Sequence, residues 1–261
     1  MKPSRGQEHP ALAALVTALL LSPLAACAGD DDSGGDADEV TLRVFAAASL
    51  TESFTELGKQ FEADHPGAEV EFNFGPSSGL AEQIGGGAPA DVFASASPSN
   101  MDTLVTDGAA TEPQDFAVNK LAIAVPPDNP AGIESLADLA RPDVKVAVCQ
   151  AQVPCGKVAA EVFANAQLTV QPATEEVDVK SVLTKVTLDE VDAGIVYVTD
   201  VLAAGDEVTG VEIPGDVNAK TTYPIATLED SEHQEAAADF VDLVLSDAGA
   251  KVLEEAGFQS P

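Results

Sequence analysis

Tryptophan is absent from this 261-residue chain, and aromatic residues make up only 5% of it. Carbohydrate sites stack their ligands on aromatic faces, so this scarcity counts against a sugar-binding function. Basic residues are scarce as well, with 12 Lys and Arg against 44 Asp and Glu and a formal net charge of −32. Such a surface repels nucleic acid and acidic lipid, and no basic patch interrupts it. The three histidines, His9, His65 and His233, are dispersed, which offers no cluster of imidazoles to a transition metal. The same dispersal, together with the lack of a Gly-x-Ser-x-Gly elbow, argues against a serine hydrolase, although Ser49 follows a strand and opens a helix. The apolar stretch over 11–21 is too short to span a bilayer.

What is present at the N-terminus reads as an export signal. Lys2 and Arg5 precede the apolar stretch, and small residues follow it, so residues 1–26 are expected to be a removable signal peptide. Leu24-Ala25-Ala26-Cys27 resembles a bacterial lipobox, which implies lipidation of Cys27 and an extracytoplasmic protein anchored to the cell membrane. Residues 27–39 are almost wholly Gly, Ala, Ser, Asp and Glu and cannot bury enough apolar surface to fold. They are expected to form a tether. Removing the signal takes away Lys2, Arg5 and Glu8 and leaves the chain one charge more negative. Cys149 and Cys155 are the other two cysteines. Outside the cytoplasm they are expected to pair in a small ring worth roughly 2 kcal/mol, with two free thiols or a metal pair as alternatives.

From residue 40 onward, short apolar strands alternate with amphipathic helical segments, which predicts an α/β architecture with mostly parallel sheets. Strands are expected over 40–47, 70–74, 91–96, 120–125, 145–148, 193–198, 211–213 and 221–227. Helices are expected from about Ser49, over 80–84, 100–106, 133–139, 157–165, 177–186, 232–245 and 248–256. Ser49 with Glu52 three residues on has the form of a capping box. Three strand-to-helix turns recur, near Ser49, at Gly75-Pro76-Ser77-Ser78-Gly79, and at Val153-Pro154-Cys155-Gly156. Each such turn exposes backbone N–H groups at the positive end of a helix, and a hydroxyl there adds a further donor. Several turns facing one another make a cage for an anion. Taken singly, each serine more often caps its own helix.

The combination carries more. Val44-Phe45-Ala46-Ala47-Ala48-Ser49-Leu50, Phe74-Gly75-Pro76-Ser77-Ser78-Gly79-Leu80, Gly87-Ala88-Pro89-Ala90-Asp91-Val92-Phe93, Val153-Pro154-Cys155-Gly156 and Gly194-Ile195-Val196-Tyr197 run in one order along the chain. Together they resemble the periplasmic molybdate-binding proteins of ABC importers. The resemblance implies a two-lobed α/β periplasmic-binding-protein fold with a ligand cleft between the lobes. It further implies one lobe from 40–120 and 222–261, a second from 121–221, and a hinge at Asn119-Lys120 and Thr222-Tyr223. The anion, molybdate or tungstate, is then held by Ser49, Ser77, the amides of Cys155 and Val179, and the hydroxyl of Tyr197, with no cofactor and no catalytic residue. A cysteine at 155 departs from the small residue common there. The implied partner is a membrane permease, and a monomer is expected. The competing readings are a protein for sulfate or another oxyanion, a serine hydrolase, and a structural lipoprotein without a small ligand.

Overall fold

The computed structural model describes residues 40–261; the expected signal peptide, Cys27 and the acidic tether lie outside the described residues. Strand β1 (Val40–Ala47) sends alternate side chains to opposite faces. Leu42, Val44 and Ala46 enter one core with Phe54, Phe61 and Phe240, while Phe45 enters another with Leu80, Phe93 and Leu104. A strand covered on both faces has to be apolar almost throughout. After a 3-10 turn at Ala48–Leu50 come α1 (Thr51–Asp64), β2 (Ala68–Gly75), α2 (Ser77–Gly85), β3 (Val92–Ala94) and α3 (Pro98–Thr106). The chain then runs through β4 (Gln114–Val125), a strand of 12 residues.

Beyond a 3-10 turn at Leu136–Ala140 lie β5 (Val146–Cys149), α4 (Pro154–Asn165), β6 (Thr174–Glu176), α5 (Val179–Thr187), β7 (Ala193–Tyr197) and α6 (Val198–Ala204). The remaining elements are a 3-10 turn at Gly205–Glu207, β8 (Thr209–Glu212), β9 (Lys220–Thr227), α7 (Gln234–Leu245) and α8 (Asp247–Glu255). The strands follow the order β2-β1-β3-β9-β4-β7-β5-β6, with β8 also paired to β4. Strand β4 serves both halves: Gln114 to Lys120 pair with β9, and Leu121 to Val125 pair with β7 and β8. A third core begins at Leu121 and ends at Ala219. The first two draw on residues up to Ala117 or from Tyr223 onward. Two α/β lobes result, each with its own apolar interior, and the chain passes between them along β4 and again into β9.

Several expectations need correction. Parallel pairings (β1 with β2 and β3, β5 with β6 and β7) are no more numerous than antiparallel ones (β3 with β9, β4 with β7, β8 and β9), so the sheet is mixed. Every antiparallel pair includes β4 or β9, the two strands along which the chain passes between the lobes. The Ser49–Glu52 capping box does not form. Leu50 holds the cap position of α1 without a side-chain bond, and Ser49 lies in the 3-10 turn before it. Helix α4 begins at Pro154, not at Lys157, because proline at the first helical position has its φ already set and lacks only an N–H that would be unpaired there. Strand β4 begins at Gln114, ahead of the apolar run at 120–125, because β9 supplies ladder partners to its first half, where polar and apolar residues mix. Strand β6 and helix α6 were not expected.

Cys149 and Cys155 are joined by a disulfide, with their Cα atoms 5.7 Å apart. The ring wraps tightly onto itself. A Cβ at Gly156 would stand 1.9 Å from the Gln150 carbonyl oxygen, so no larger residue fits that position.

Candidate functional site

Ser49, Ser77, Cys155, Val179 and Tyr197 all line one small cavity of about 20 Å³. They reach it from different elements: the 3-10 turn after β1, the first residue of α2, the second of α4, the first of α5, and the last of β7. Ser49 and Ser77 belong with the first lobe, and the other three with the core that runs from Leu121 to Ala219. All five are almost completely buried. The cavity therefore lies where the two lobes meet.

The three hydroxyls can serve as donors. The Ser77 Oγ accepts a hydrogen bond from the Ala96 N–H at 2.9 Å, which leaves its own proton free to point into the cavity. Ala96 is itself held, since the Thr221 hydroxyl donates to its carbonyl at 2.7 Å. The Ser49 Oγ lies 2.9 Å from the Tyr223 hydroxyl. When Tyr223 donates along this contact, the Ser49 proton is free in the same way. The Tyr197 hydroxyl is buried without a hydrogen-bond partner. Burial, with the nearby Tyr223 and Asp200, holds its pKa well above the ordinary value, so it remains protonated and able to donate. An orphaned buried donor of this kind ordinarily costs about 1–3 kcal/mol, which a ligand oxygen recovers.

The backbone adds more. First-turn N–H groups of a helix have no partner inside the helix and sit at the positive end of its dipole. The amides of Ser77, Cys155 and Val179 are in that position. At α5 the Asp178 carboxylate accepts from the Ser181 N–H at 2.7 Å, which leaves the Val179 amide for another acceptor. None of the described residues lining the cavity is Lys or Arg, and its one carboxylate, Asp178, is taken up as the cap of α5 through the Ser181 N–H. Larger surface clefts of about 330 and 560 Å³ exist, but carboxylates line them, Asp91, Asp230 and Glu232 in one and Asp64, Glu232, Glu235 and Asp239 in the other. They suit an anion poorly.

Behind the cavity stands a group that sequence reasoning missed. Asp200 is wholly buried, and its Oδ2 accepts from the Tyr197 N–H at 3.0 Å. Its Oδ1 lies 3.2 Å from the Lys180 ammonium, which is also 2.8 Å from both Glu52 oxygens. Burial pushes the Asp200 pKa up from 3.8 to about 6, while Lys180 and the Tyr197 N–H pull it down. For Lys180, burial favours the neutral form, but Asp200 and Glu52 outweigh it and the pKa is raised. Because Asp200 binds its proton more tightly when folded, it favours the folded state at low pH and that contribution is lost as pH rises through about 6. Asp200→Asn lacks this loss. The melting temperature of the variant relative to the unaltered protein is therefore expected to climb between pH 4 and pH 7, as read by paired thermal melts across that range. A constant difference contradicts the assignment. Tyr223 was placed by sequence only at the hinge, yet it is the partner of Ser49. The available signal was that a buried tyrosine needs a partner for its hydroxyl.

Two α/β lobes enclosing a buried set of uncharged donors define a two-lobed anion-binding protein. The chain belongs to the bacterial extracellular solute-binding protein family, whose model matches residues 42–259. It is 40% identical to the molybdate-binding protein ModA of Mycobacterium tuberculosis, over 95% of this chain and 97% of the relative. The substrate-binding domain of a putative molybdenum ABC transporter from Clostridium difficile is similar at 30% identity and a TM-score of 0.65, covering 85% of this chain and 99% of the other. The periplasmic molybdate-binding protein of Azotobacter vinelandii shares the periplasmic-binding-protein fold at a TM-score of 0.76 and 21% identity, covering 84% and 99%.

Proposed function

We propose that this protein captures molybdate outside the cytoplasmic membrane and hands it to the permease of an ABC importer, with tungstate competing for the same site. One observation carries the reading: Ser49, Ser77, Tyr197 and the first-turn amides at Cys155 and Val179 converge from two lobes on one buried cavity. Such a set offers mainly donors to a ligand, with the Asp178 carboxylate already engaged by the Ser181 N–H. It favours a fully deprotonated oxyanion, because a protonated oxygen would need an acceptor. A charge-assisted hydrogen bond is worth about 1.5–3 kcal/mol, so several together outweigh the dehydration of a dianion. The protein's net charge of −32 does not prevent this. Charges on the exposed surface are screened by salt over about 8–10 Å, while the dipoles around the cavity act at contact.

The lobes in this reading are 40–120 with 222–261, and 121–221, hinged at Asn119-Lys120 and Thr222-Tyr223 and closing on the ion by a hinge motion. Cys27 carries the lipid that keeps the protein at the membrane, the mature protein is a monomer, and it performs no catalysis. Continuity of β4 through Lys120 and Leu121 supports a hinge there, since a few strand residues absorb the rotation. The test is a calorimetric panel of oxyanions. Molybdate and tungstate are expected to bind tightly and sulfate negligibly, because the smaller ion leaves some donors out of reach. Sulfate binding as tightly as molybdate overturns the assignment in favour of a general oxyanion carrier.

A further inference from the structure

Lys180 joins the two lobes at the edge of the candidate site. Its ammonium lies 2.8 Å from both oxygens of Glu52, in the first turn of α1, and 3.2 Å from Asp200 Oδ1, in the first turn of α6. Glu52 belongs to the lobe that supplies Ser49, three residues before it. Lys180 directly follows Val179, and Asp200 holds the N–H of Tyr197 through its other oxygen. One cation thus ties together the segments that present three of the five proposed ligand groups. Among the described residues, this is the ion pair that links a helix of one lobe to a helix of the other. A further contact between helices of the two lobes, from Lys157 Nζ to the Ser99 hydroxyl at 3.2 Å, has a neutral acceptor.

The two arms of the bridge differ. Asp200 is fully buried, and its pairing with Lys180 stays inside one lobe, so it survives when the lobes separate. Glu52 is half exposed and lies across the cleft, so its pairing exists only when the lobes are closed. Without the ammonium, Glu52 and Asp200 would add two uncompensated carboxylates beside the proposed dianion site, which Asp178 already lines.

We propose that Lys180 is a positioning residue that clasps the lobes through Glu52 and offsets the carboxylates behind the site, so that it sets how long a bound oxyanion is retained without touching it. This rests on the oxyanion reading above. The Glu52 arm stabilises the closed form selectively, and a ligand that binds the closed form gains the whole of that bias.

The test uses the full chain with molybdate as probe, measuring affinity by calorimetry and dissociation by stopped flow. Glu52→Gln is expected to weaken binding about two- to fivefold, the range of a partly exposed ion pair, almost entirely through faster dissociation. The melting temperature of the ligand-free protein should stay within a degree or so of the original, because the lost pairing is absent from the open form. In a Lys180→Met background, Glu52→Gln should have no further effect on affinity, and Lys180→Arg should restore dissociation to near the original rate. An unchanged dissociation rate in Glu52→Gln overturns the clasp. So does a loss that persists in the Lys180→Met background, or one matched by an equal loss of ligand-free stability. Should the unaltered protein bind no oxyanion at all, the functional reading itself falls and the clasp with it. That outcome is distinct from normal binding by an unaltered protein whose Glu52→Gln variant behaves identically.

Discussion

Replacing Ser49 and Ser77 by alanine is expected to weaken molybdate binding by about 1–3 kcal/mol for each hydroxyl, and by more for the pair. The Ser77 Oγ already accepts a hydrogen bond from the Ala96 N–H, and the Ser49 Oγ does the same when the Tyr223 hydroxyl donates. What each has left to give an anion is its proton, so deleting it removes a donor and creates no competing acceptor. The two positions act on one ion and their losses need not add, so the single variants are titrated beside the double. Ser49→Ala also leaves the buried Tyr223 hydroxyl without its partner, at a further cost of about 1–3 kcal/mol in folding stability. Thermal melts of the ligand-free variants separate that effect from loss of binding. A folded double variant with the original affinity rules out this site.

Val179→Pro is expected to cost about 1.5–3 kcal/mol of binding, roughly 10- to 150-fold, while helix α5 persists. Val179 is the first residue of that helix, where proline is tolerated because the missing N–H has no partner in the helix. Asp178 before it is extended, at φ −153° and ψ 174°, a conformation that a following proline favours. The substitution therefore deletes one backbone donor and little else. The Val179 side chain is buried in the second lobe's core, so a modest drop in melting temperature is expected with it. Calorimetry with molybdate and circular dichroism read the two effects separately. Unchanged affinity means that the Val179 amide is not a ligand.

How far these residues could be read from the chain depended on the kind of signal each carries. Apolar strands buried on both faces, such as β1, and helices with a spaced apolar stripe, such as α1, leave local patterns that periodicity detects. The turns at Ser77 and Cys155 were legible because Gly and Pro mark them. Strand β4 was legible only in its apolar second half, since the first half, of mixed polarity, is a strand by virtue of pairing with β9, about a hundred residues later. The capping-box pattern of Ser49 and Glu52 is complete in the sequence and still does not form, because the two side chains have distant partners, Tyr223 and Lys180. Local hydrogen-bond chemistry lost to tertiary contacts that no short window contains.

Sequence alone determined the alternation of strands and helices, the acidic surface, the scarcity of cationic and imidazole ligands, and the positions of the turns that present free amides. These depend on side-chain volume, backbone conformational preference and charge, which are properties of neighbouring residues. Only the tertiary structure decided which hydroxyls have protons to spare, that Tyr197 is buried without a partner, and that Lys180 lies between Glu52 and Asp200. Those outcomes depend on burial and on partners up to 174 residues apart, and dehydration makes an unpaired polar atom costly only once packing has removed its water.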